Sequence, residues 1–312
     1  MGSSSRKEAP DLNPISLYQA CTLCPRRCRA NRLAGQLGFC QSTADLLCAR
    51  ASLHHWEEPC LSGTGGSGTV FFSGCNLRCV YCQNRRISRA AAGKRIDAER
   101  LSEIFLSLQR RGAENINLVT PTHFIPHLLI AIPLARECGL KLPIVYNCGG
   151  YESVESLRLL EGLIDIYMPD FKYCDDSLSA ELSAAEDYPR IARAAIREMV
   201  RQVGAPRFDE RGMLIRGVLV RHLVLPGRGC DAIEIARDLF ATYGNRILLS
   251  VMNQYTPPEG VSLPPFLRLP LKEEEYLNVL EEIDRMGMIS IFAQEGGTVD
   301  ESFIPDFNGE GI

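Results

Sequence analysis

The sequence predicts an α/β fold, a partial (β/α)6 barrel that follows a cysteine-rich N-terminal module. From residue 69 onward, short apolar runs alternate with amphipathic stretches of helical length, as in βαβ units of a parallel sheet. Glycine, polar and cyclic residues follow each apolar run, which is typical of loops at the carboxyl edge of such a sheet. Residues 1–65 show little periodicity but are rich in Cys, Arg and Gly. A doubly wound open sheet is the alternative arrangement of the same elements.

The predicted elements alternate along the chain as strand and helix. Strands are expected at TVFFS (69–73), NINLVT (115–120), PIVYN (143–147), LIDIYMP (163–169), LIRGVLV (214–220) and ILLSVMN (247–253), with a seventh at ISIFAQ (289–294). Helices are expected near residues 97–111, 124–138, 153–162, 188–203, 231–243 and 272–286. The loops after the strands should converge on one mouth, which is where parallel α/β barrels place their active sites.

Composition and spacing divide the chain into a flexible tail (1–15), a cysteine-rich metal-binding module (16–65) and the barrel (66–312). Hydrophobic residues make up 46% of the 312 residues, enough for a substantial core. The net charge of −4 gives no basic excess that would favour nucleic acid. No apolar run approaches the roughly 18 residues of a membrane helix, and the N-terminus lacks the apolar region of a secretory signal. We therefore expect a cytoplasmic protein without a nucleic-acid or membrane partner.

Thirteen cysteines are many for a cytoplasmic chain, where thiols stay reduced, and clustered thiols there point to metal. The loop FFSGCNLRCVYCQN holds three of them, Cys75, Cys79 and Cys82, in the pattern C-x3-C-x2-C. A four-iron cubane is normally held by four thiolates, so with three cysteines the fourth iron either takes a remote ligand or stays open. An open iron is able to bind a substrate and pass an electron to it. Structural zinc is the alternative, but it needs a fourth ligand from elsewhere, and its cysteines usually come in C-x2-C pairs.

A second group of cysteines lies in CTLCPRRCRANRLAGQLGFC, where Cys21, Cys24, Cys28 and Cys40 have the spacing C-x2-C-x3-C-x11-C. Four thiolates in so short a segment can close a tetrahedral zinc site or hold a complete iron–sulfur cluster. Zinc would make the module a structural clip, whereas an iron–sulfur cluster would relay electrons. The spacing leaves both metals open.

The three-cysteine loop resembles the signature of the radical S-adenosylmethionine superfamily, with an apolar strand, Gly74, the cysteines and Tyr81 in order. Within the superfamily the chain is similar to pyruvate formate-lyase activating enzymes and, more closely, to an activating-enzyme-like group. The similarity is carried by GSGTVFFSGCNLRCVYCQN, NINLVTPTHF, DIYMPDFKY and RHLVLPG. The resemblance implies a radical-type partial (β/α)6 barrel, a [4Fe-4S] cluster and S-adenosylmethionine. It also implies an electron donor such as flavodoxin or ferredoxin, and a protein as one candidate substrate.

The same resemblance implies how the cofactor is used. The open iron chelates its amino and carboxylate groups, and one electron cleaves the sulfonium to give a 5′-deoxyadenosyl radical that abstracts hydrogen. Family members often carry a Gly-Gly-Glu-Pro-type stretch after the second strand, and this chain has Thr120, Pro121 and Thr122 there. Hydroxyl and carbonyl groups at that place are able to accept hydrogen bonds from an ammonium. The residues expected at the cofactor are Tyr81, Thr120, Thr122, Asp170, Lys172 and Arg221.

The residues after the fourth and fifth strands have specific expected roles. Asp170 and Lys172 are expected to contact the ribose hydroxyls or the methionine carboxylate. Arg221 is suited to hold a carboxylate through two parallel hydrogen bonds. The first functional hypothesis is activation of a glycyl-radical enzyme, and the second is a radical modification of a small molecule or another residue. A non-catalytic iron–sulfur electron carrier is the hypothesis from a different class.

Overall fold

The computed structural model describes residues 13–89, 92–294 and 305–312, and most of the predicted tail lies outside these ranges. Ten strands form one sheet within the described residues. They are β1 (Leu46–His54), β2 (Ser67–Phe72), β3 (Lys94–Ile96), β4 (Ile116–Val119), β5 (Ile144–Cys148), β6 (Ile166–Pro169), β7 (Arg207–Phe208), β8 (Leu214–Leu223), β9 (Leu248–Met252) and β10 (Ile291–Ala293).

The order of the parallel strands decides between the two predicted architectures. Strands β2, β4, β5, β6, β8, β9 and β10 are parallel neighbours and follow one another across the sheet in chain order. A doubly wound sheet would reverse its direction at a switch point. The sheet instead advances in one direction, as a barrel does, and within the described ranges its two end strands do not pair with each other. The predicted partial barrel is therefore confirmed, and the doubly wound alternative is wrong.

Six helices lie at the predicted places, and three others, at residues 59–62, 85–88 and 176–183, were not predicted. The helices are α1 (Pro59–Ser62), α2 (Arg85–Ser88), α3 (Ala98–Arg110), α4 (Ile125–Glu137), α5 (Val154–Leu159), α6 (Asp176–Ser183), α7 (Tyr188–Val203), α8 (Gly229–Tyr243) and α9 (Glu273–Arg285). Helix α3 shows how local sequence sets a boundary, because the Asp97 carboxylate accepts a hydrogen bond from the Arg100 amide at 2.7 Å. None of the helices in the described ranges has the length and apolar character of a membrane span.

Strand β1 was not predicted, and it joins the N-terminal part of the chain to the barrel sheet. It runs antiparallel to β2, with Ser52 opposite Thr69 and His54 opposite Ser67. The chain therefore leaves β1 at the amino end of β2. The division between a metal-binding module and a barrel at residue 65 stays a prediction. Strand β1 belongs to the predicted module by its residue numbers and to the barrel sheet by its pairing.

Two apolar layers cover the two faces of the sheet. The larger layer packs helices α3, α4, α7 and α8 on the outer face. The smaller layer joins Cys60 and Leu61 of helix α1 to inner-face side chains such as Val145 and Met168. Helix α1 thus fills part of the barrel interior. Its position places the residues just before it, Glu57 and Glu58, on the inner side of the sheet.

Candidate active site

A cavity of about 550 Å³ lies at the carboxyl ends of the parallel strands. Residues from the loops after successive strands share its lining, and they include Cys75, Thr120, Gly149, Asp170 and Gln254. Parallel α/β barrels place their active sites at this edge because the strands hold every loop in a fixed position there. The sequence pattern predicted this convergence. The inner-face residues Glu57 and Glu58 line the same cavity from the opposite side.

The three-cysteine loop begins at a glycine that no other residue can replace without strain. Gly74 has a φ of 92°, and a Cβ there would lie 2.4 Å from Ser42 Oγ and 2.8 Å from the Cys40 carbonyl oxygen. Glycine therefore lets the loop approach the N-terminal cysteine segment closely. From this point the chain presents Cys75, Cys79 and Cys82 to the cavity.

The surroundings of the three sulfurs suit a multi-iron cluster. The Leu77 amide donates to Cys75 Sγ at 3.4 Å, the Ser183 hydroxyl donates to Cys79 Sγ at 3.0 Å, and Ser88 Oγ lies 3.4 Å from Cys82 Sγ. Hydrogen bonds to sulfur stabilise thiolate ligands and tune cluster potential. The described residues include no group of three or more His, Cys, Asp or Glu placed around a single ion. A cubane places its thiolates on separate irons and needs no such convergence, so the donor set fits a cluster better than zinc.

Asp170 and Lys172 form an ion pair at the cavity wall. Lys172 Nζ lies 2.5 Å from Asp170 Oδ2, and both side chains are largely covered, with exposed fractions of 18% and 23%. Burial opposes the charge of Lys172, but the carboxylate of Asp170 keeps the pKa of the Lys172 ammonium well above the usual range. Gly149 packs beside this pair, since a Cβ there would lie 3.0 Å from Leu77 Cδ1 and 3.8 Å from Lys172 Cε. The pair is therefore a cavity feature and not a surface ion pair.

The remaining predicted cofactor residues divide between the cavity and the structure around it. Tyr81 and Thr120 line the cavity, and the Tyr81 hydroxyl lies 2.6 Å from the Tyr173 hydroxyl. Thr120 adopts a φ of 58° at the end of β4. Thr122 is buried away from the lining, and its hydroxyl donates to Glu152 Oε1 at 2.8 Å. A direct contact between these residues and a cofactor stays a prediction.

Arg221 has partners that the sequence did not predict. Its Nε and Nη2 donate to the two oxygens of Glu58 at 2.8 Å and 2.5 Å, and Nη2 also donates to Glu57. The side chains of all three are at most 13% exposed. The guanidinium that we expected to bind a cofactor carboxylate thus binds two carboxylates of the chain. Contact of Arg221 with the cofactor stays a prediction.

The four N-terminal cysteines do not share one environment. Cys21 and Cys40 are buried, Cys24 is partly buried, and Cys28 is exposed with its sulfur accepting from the Phe39 amide at 3.2 Å. Within the part of the chain that the structure describes, they do not converge around one ion. A metal site on these four cysteines stays a prediction.

One buried arginine, Arg32, lies beside these cysteines and contacts no carboxylate in the described residues. Arg32 is 1% exposed, and it donates to the carbonyls of Ser42, Thr43 and His123 at 3.0, 2.7 and 2.6 Å. Its Nη1 lies 3.8 Å from Cys21 Sγ. A buried guanidinium is costly without a counter-charge. The Cys21 sulfur is the side-chain acceptor that this guanidinium contacts in the described residues.

The polar groups that sequence reasoning missed are Glu57, Glu58, Glu152 and Asn117. Glu152 is buried, and this burial raises the pKa of its carboxyl to about 7, against the hydrogen bonds from Thr122 and Tyr146. The adjacent acidic pair of Glu57 and Glu58 is visible in the segment HHWEEP, but nothing in the local sequence indicates its partner. Asn117 interrupts the apolar run of β4 and was a visible signal of a polar inner face.

Comparisons with known proteins agree with this architecture. The sequence profile of the Radical SAM superfamily matches residues 69–229. An uncharacterized protein of Methanocaldococcus jannaschii is 28% identical over 288 residues, covering 89% of this chain and 78% of that protein. The pyruvate formate-lyase-activating enzyme of Clostridium pasteurianum is 32% identical over 124 residues, covering 37% of this chain and 50% of the enzyme.

One solved structure supports the fold alone. The FeFe-hydrogenase maturase HydG from Carboxydothermus hydrogenoformans superposes with a TM-score of 0.50 and 16% identity, covering 71% of this chain and 52% of that one.

Enzymes of the matched superfamily perform radical chemistry with S-adenosylmethionine and a [4Fe-4S] cluster. The profile covers more than half of the chain, including the whole three-cysteine loop. The chain therefore belongs to the radical S-adenosylmethionine superfamily.

Proposed function

We propose that this protein cleaves S-adenosylmethionine reductively at a [4Fe-4S] cluster held by Cys75, Cys79 and Cys82, and that the product radical abstracts hydrogen from a substrate in the same cavity. The observation that carries this proposal is that all three thiols face one cavity together with the Asp170–Lys172 pair. A non-catalytic electron carrier would need neither an open coordination position nor a large polar cavity beside its cluster.

The residues of the chain have separate tasks in this proposal. When bound, the cluster and cofactor supply a single-electron transfer and a carbon-centred radical. Lys172 offers an ammonium to the methionine carboxylate, and Asp170 offers acceptor oxygens to the ribose hydroxyls. Thr120 provides a hydroxyl where relatives with the Gly-Gly-Glu-Pro stretch hold the amino group. Tyr81 stands between Cys79 and Cys82 in the chain and lines the cavity, and its hydroxyl is already paired with Tyr173.

Activation of a glycyl-radical enzyme is the first proposal for the substrate. It is supported by the similarity to the Clostridium activating enzyme, which extends over 37% of this chain. Radical modification of a small molecule or of another residue is the alternative. Both use the same cavity and the same cofactor, so they differ only in what enters the cavity beside Lys172 and Asp170.

We further propose a second metal site on Cys21, Cys24, Cys28 and Cys40, either zinc or an iron–sulfur cluster. The buried Arg32 beside Cys21 supports it, because bound metal keeps thiolates ionised and gives this cation its counter-charge. The Cys40 carbonyl lies close to Gly74, so the two cysteine segments are in contact. An iron–sulfur cluster there would pass electrons from a flavodoxin- or ferredoxin-type donor to the cavity.

Electron paramagnetic resonance of the anaerobically reconstituted protein tests the main proposal. The reduced wild-type protein should show a cubane signal that changes when S-adenosylmethionine is added. Replacement of Cys75, Cys79 and Cys82 by Ala should abolish the cofactor-sensitive signal, while the exposed-thiol control Cys138→Ala should retain it. An unchanged signal and iron content in the triple variant would show that the cluster is assigned to the wrong residues.

A further inference from the structure

Three side-chain hydroxyl groups form a continuous chain that ends at one of the predicted cluster ligands. The Tyr81 hydroxyl lies 2.6 Å from the Tyr173 hydroxyl. Ser183 Oγ lies 2.7 Å from the Tyr173 hydroxyl and 3.0 Å from Cys79 Sγ. Ser183 and Tyr173 are fully buried, and Tyr81 is 7% exposed. This hydroxyl chain is therefore shielded from water, which would otherwise compete for its hydrogen bonds.

The backbone around Cys79 holds the end of the hydroxyl chain in place. The Arg78 amide donates to the Ser183 carbonyl at 3.1 Å, and the Val80 amide donates to the Leu182 carbonyl at 2.8 Å. Both carbonyls belong to the last turn of helix α6. The three-cysteine loop is thus attached to that turn on both sides of Cys79. The Ser183 hydroxyl lies beside the sulfur because of these backbone contacts as well as its own.

Proton counting fixes the direction of every bond in the hydroxyl chain. A cysteine that binds a metal is a thiolate without a proton, so Cys79 only accepts and Ser183 donates to it. Each hydroxyl has one proton to donate, so Tyr173 donates to Ser183 and Tyr81 donates to Tyr173. All three O–H groups therefore point toward the sulfur once Cys79 binds iron. Hydrogen bonds aligned in this way polarise and strengthen one another.

The other two sulfurs of the loop lack such support among the described residues. Cys75 Sγ accepts from the Leu77 amide at 3.4 Å, and Cys82 Sγ lies 3.4 Å from Ser88 Oγ. Both contacts are longer than the 3.0 Å contact of Cys79. Ser88 has no second hydroxyl behind it in the described part of the chain. Cys79 is therefore the sulfur whose charge is drawn off most strongly by a hydroxyl donor.

We propose that Ser183, Tyr173 and Tyr81 raise the reduction potential of the cluster by acting together on the Cys79 sulfur. The reduced cluster carries one more negative charge than the oxidised one, and donors aimed at its ligand stabilise that charge. One electron enters from the external donor, and every hydroxyl keeps its own proton. This inference rests on the proposed function, since it needs a cluster on Cys79. In this role the three are positioning residues, because they act through the sulfur.

Potentiometric titration followed by electron paramagnetic resonance tests the inference on the anaerobically reconstituted protein without S-adenosylmethionine. The signal followed is the one that the variant with Ala at Cys75, Cys79 and Cys82 lacks. At a fixed potential, Ser183→Ala should lower the ratio of reduced to oxidised cluster by about 10-fold, from the strength of a charge-assisted hydrogen bond. For one electron this is a fall of about 59 mV in the midpoint potential. An unchanged midpoint in a Ser183→Ala protein with full iron and sulfide would overturn the inference.

Tyrosine variants test whether the serine acts alone or as the end of the hydroxyl chain. Tyr173→Phe keeps the buried ring and leaves Ser183 as a donor. It should lower the same ratio by about 2- to 4-fold, since a neighbour strengthens a hydrogen bond by roughly 10–30%. Tyr81→Phe removes the most distant hydroxyl and should have the smallest effect of the three. A wild-type midpoint in Tyr173→Phe would contradict the proposal that the hydroxyls act together.

Two controls separate the hydroxyl chain from general effects of the substitutions. Tyr167→Phe removes a buried hydroxyl that donates to Gln202 outside the cavity, and it should leave the midpoint unchanged. Ser88→Ala removes the longer contact to Cys82, and it should shift the midpoint less than Ser183→Ala does. Equal shifts in the two serine variants would overturn the inference, because a hydroxyl without a chain behind it would then have the same effect.

Formation of 5′-deoxyadenosine is measured separately, so that this inference and the proposed function fail in different ways. Cleavage by the wild type together with unchanged midpoints in Ser183→Ala and Tyr173→Phe refutes this inference alone. Shifted midpoints without cleavage by the wild type refute the proposed function alone. A wild type that lacks the followed signal refutes both.

Discussion

The chain contains two cysteine segments in contact, and the protein treats them differently. Cys75, Cys79 and Cys82 face a cavity that carries paired acids and bases. Of the N-terminal four, Cys21 and Cys40 are buried, and the neighbouring Arg32 contacts carbonyls and a sulfur instead of carboxylates. The difference teaches that two groups of thiols are distinguished by what surrounds them more than by their spacing. The cavity pairs its acids with its bases, whereas Arg32 has no carboxylate partner among the described residues, and thiolates of the proposed second metal site would supply its counter-charge.

The largest expected effect comes from Arg32→Met in the N-terminal segment. The change removes the arginine donor from the Ser42 and Thr43 carbonyls, whereas the His123 carbonyl keeps the Tyr18 hydroxyl at 3.3 Å. We expect a loss of about 2–6 kcal/mol in the free energy of unfolding, at about 1–3 kcal/mol for each of the two unsatisfied groups. Urea unfolding measures this loss. When Arg32→Met is added to the variant with Ala at Cys75, Cys79 and Cys82, elemental analysis should show less bound metal than in that variant alone. Arg29→Met is the matched control, since Arg29 is exposed in the same segment. Equal stabilities of the two variants would remove Arg32 from the account.

A second comparison concerns Glu152, which lies where the barrel meets the N-terminal segment. Burial raises the pKa of its carboxyl to about 7 from its ordinary value of 4.5. The folded state therefore holds the proton more tightly, so its contribution to stability is complete below about pH 4.5 and is lost as pH rises through about 7. The raised pKa corresponds to roughly 3 kcal/mol in the free energy of unfolding, at 1.36 kcal/mol per pKa unit.

Glu152→Gln tests this linkage, because glutamine keeps the shape and does not titrate. Urea unfolding at pH 5 and pH 8 should show a smaller loss of stability with rising pH in the variant than in the wild type. Glu186→Gln is a matched control, since Glu186 is an exposed glutamate nearby in sequence. The same pH dependence in wild type and Glu152→Gln would show that another group titrates.

At the open site, Asp170→Ala should weaken binding of S-adenosylmethionine while leaving the cluster intact. Loss of one charge-assisted contact costs about 1.5–3 kcal/mol, or about 10- to 150-fold in affinity. Titration followed by the cluster spectrum measures the affinity, and iron and sulfide analysis checks the cluster. Wild-type affinity in Asp170→Ala would remove this residue from the cofactor site without affecting the family assignment.

The smallest effect is expected at the surface between the two regions. Arg27 and Glu155 form an ion pair at 3.2 Å with side chains 61% and 69% exposed. Exposed pairs contribute about 0–1 kcal/mol, so Glu155→Gln should change the free energy of unfolding by less than about 1 kcal/mol. A larger loss on urea unfolding would mean that surface charge, and not buried Arg32, attaches the N-terminal segment to the barrel.

Much of the fold could be predicted because its parallel strands and long helices have distinct periods. The apolar run of β4 and the amphipathic pattern of α7 each identify their own element without reference to the rest of the chain. Strand β1 was missed because both of its faces are partly covered, so the residues from Leu46 to His54 lack a regular alternation. Short helices such as α1 carry too few residues for a period to be recognised.

The site was predictable only where one segment carries the chemistry. The three-cysteine loop contains its own signature, and the Asp170–Lys172 pair is two residues apart. The partners of Arg221 come from Glu57 and Glu58, more than 160 residues earlier in the chain. Local sequence carries no information about such a pairing, because the pairing depends on where helix α1 lies inside the barrel. For the same reason the place of Glu57 and Glu58 in the cavity lining became visible only in three dimensions.

The measurement that tests the central claim most directly is the formation of 5′-deoxyadenosine from S-adenosylmethionine by the reconstituted protein. The assay is run anaerobically with dithionite, and the product is quantified by chromatography. We expect slow cleavage by the wild type and by Cys138→Ala, and none by the variant with Ala at Cys75, Cys79 and Cys82. Cleavage by the triple variant at the wild-type rate, or no product from a wild type that contains its full iron and sulfide, would contradict the account.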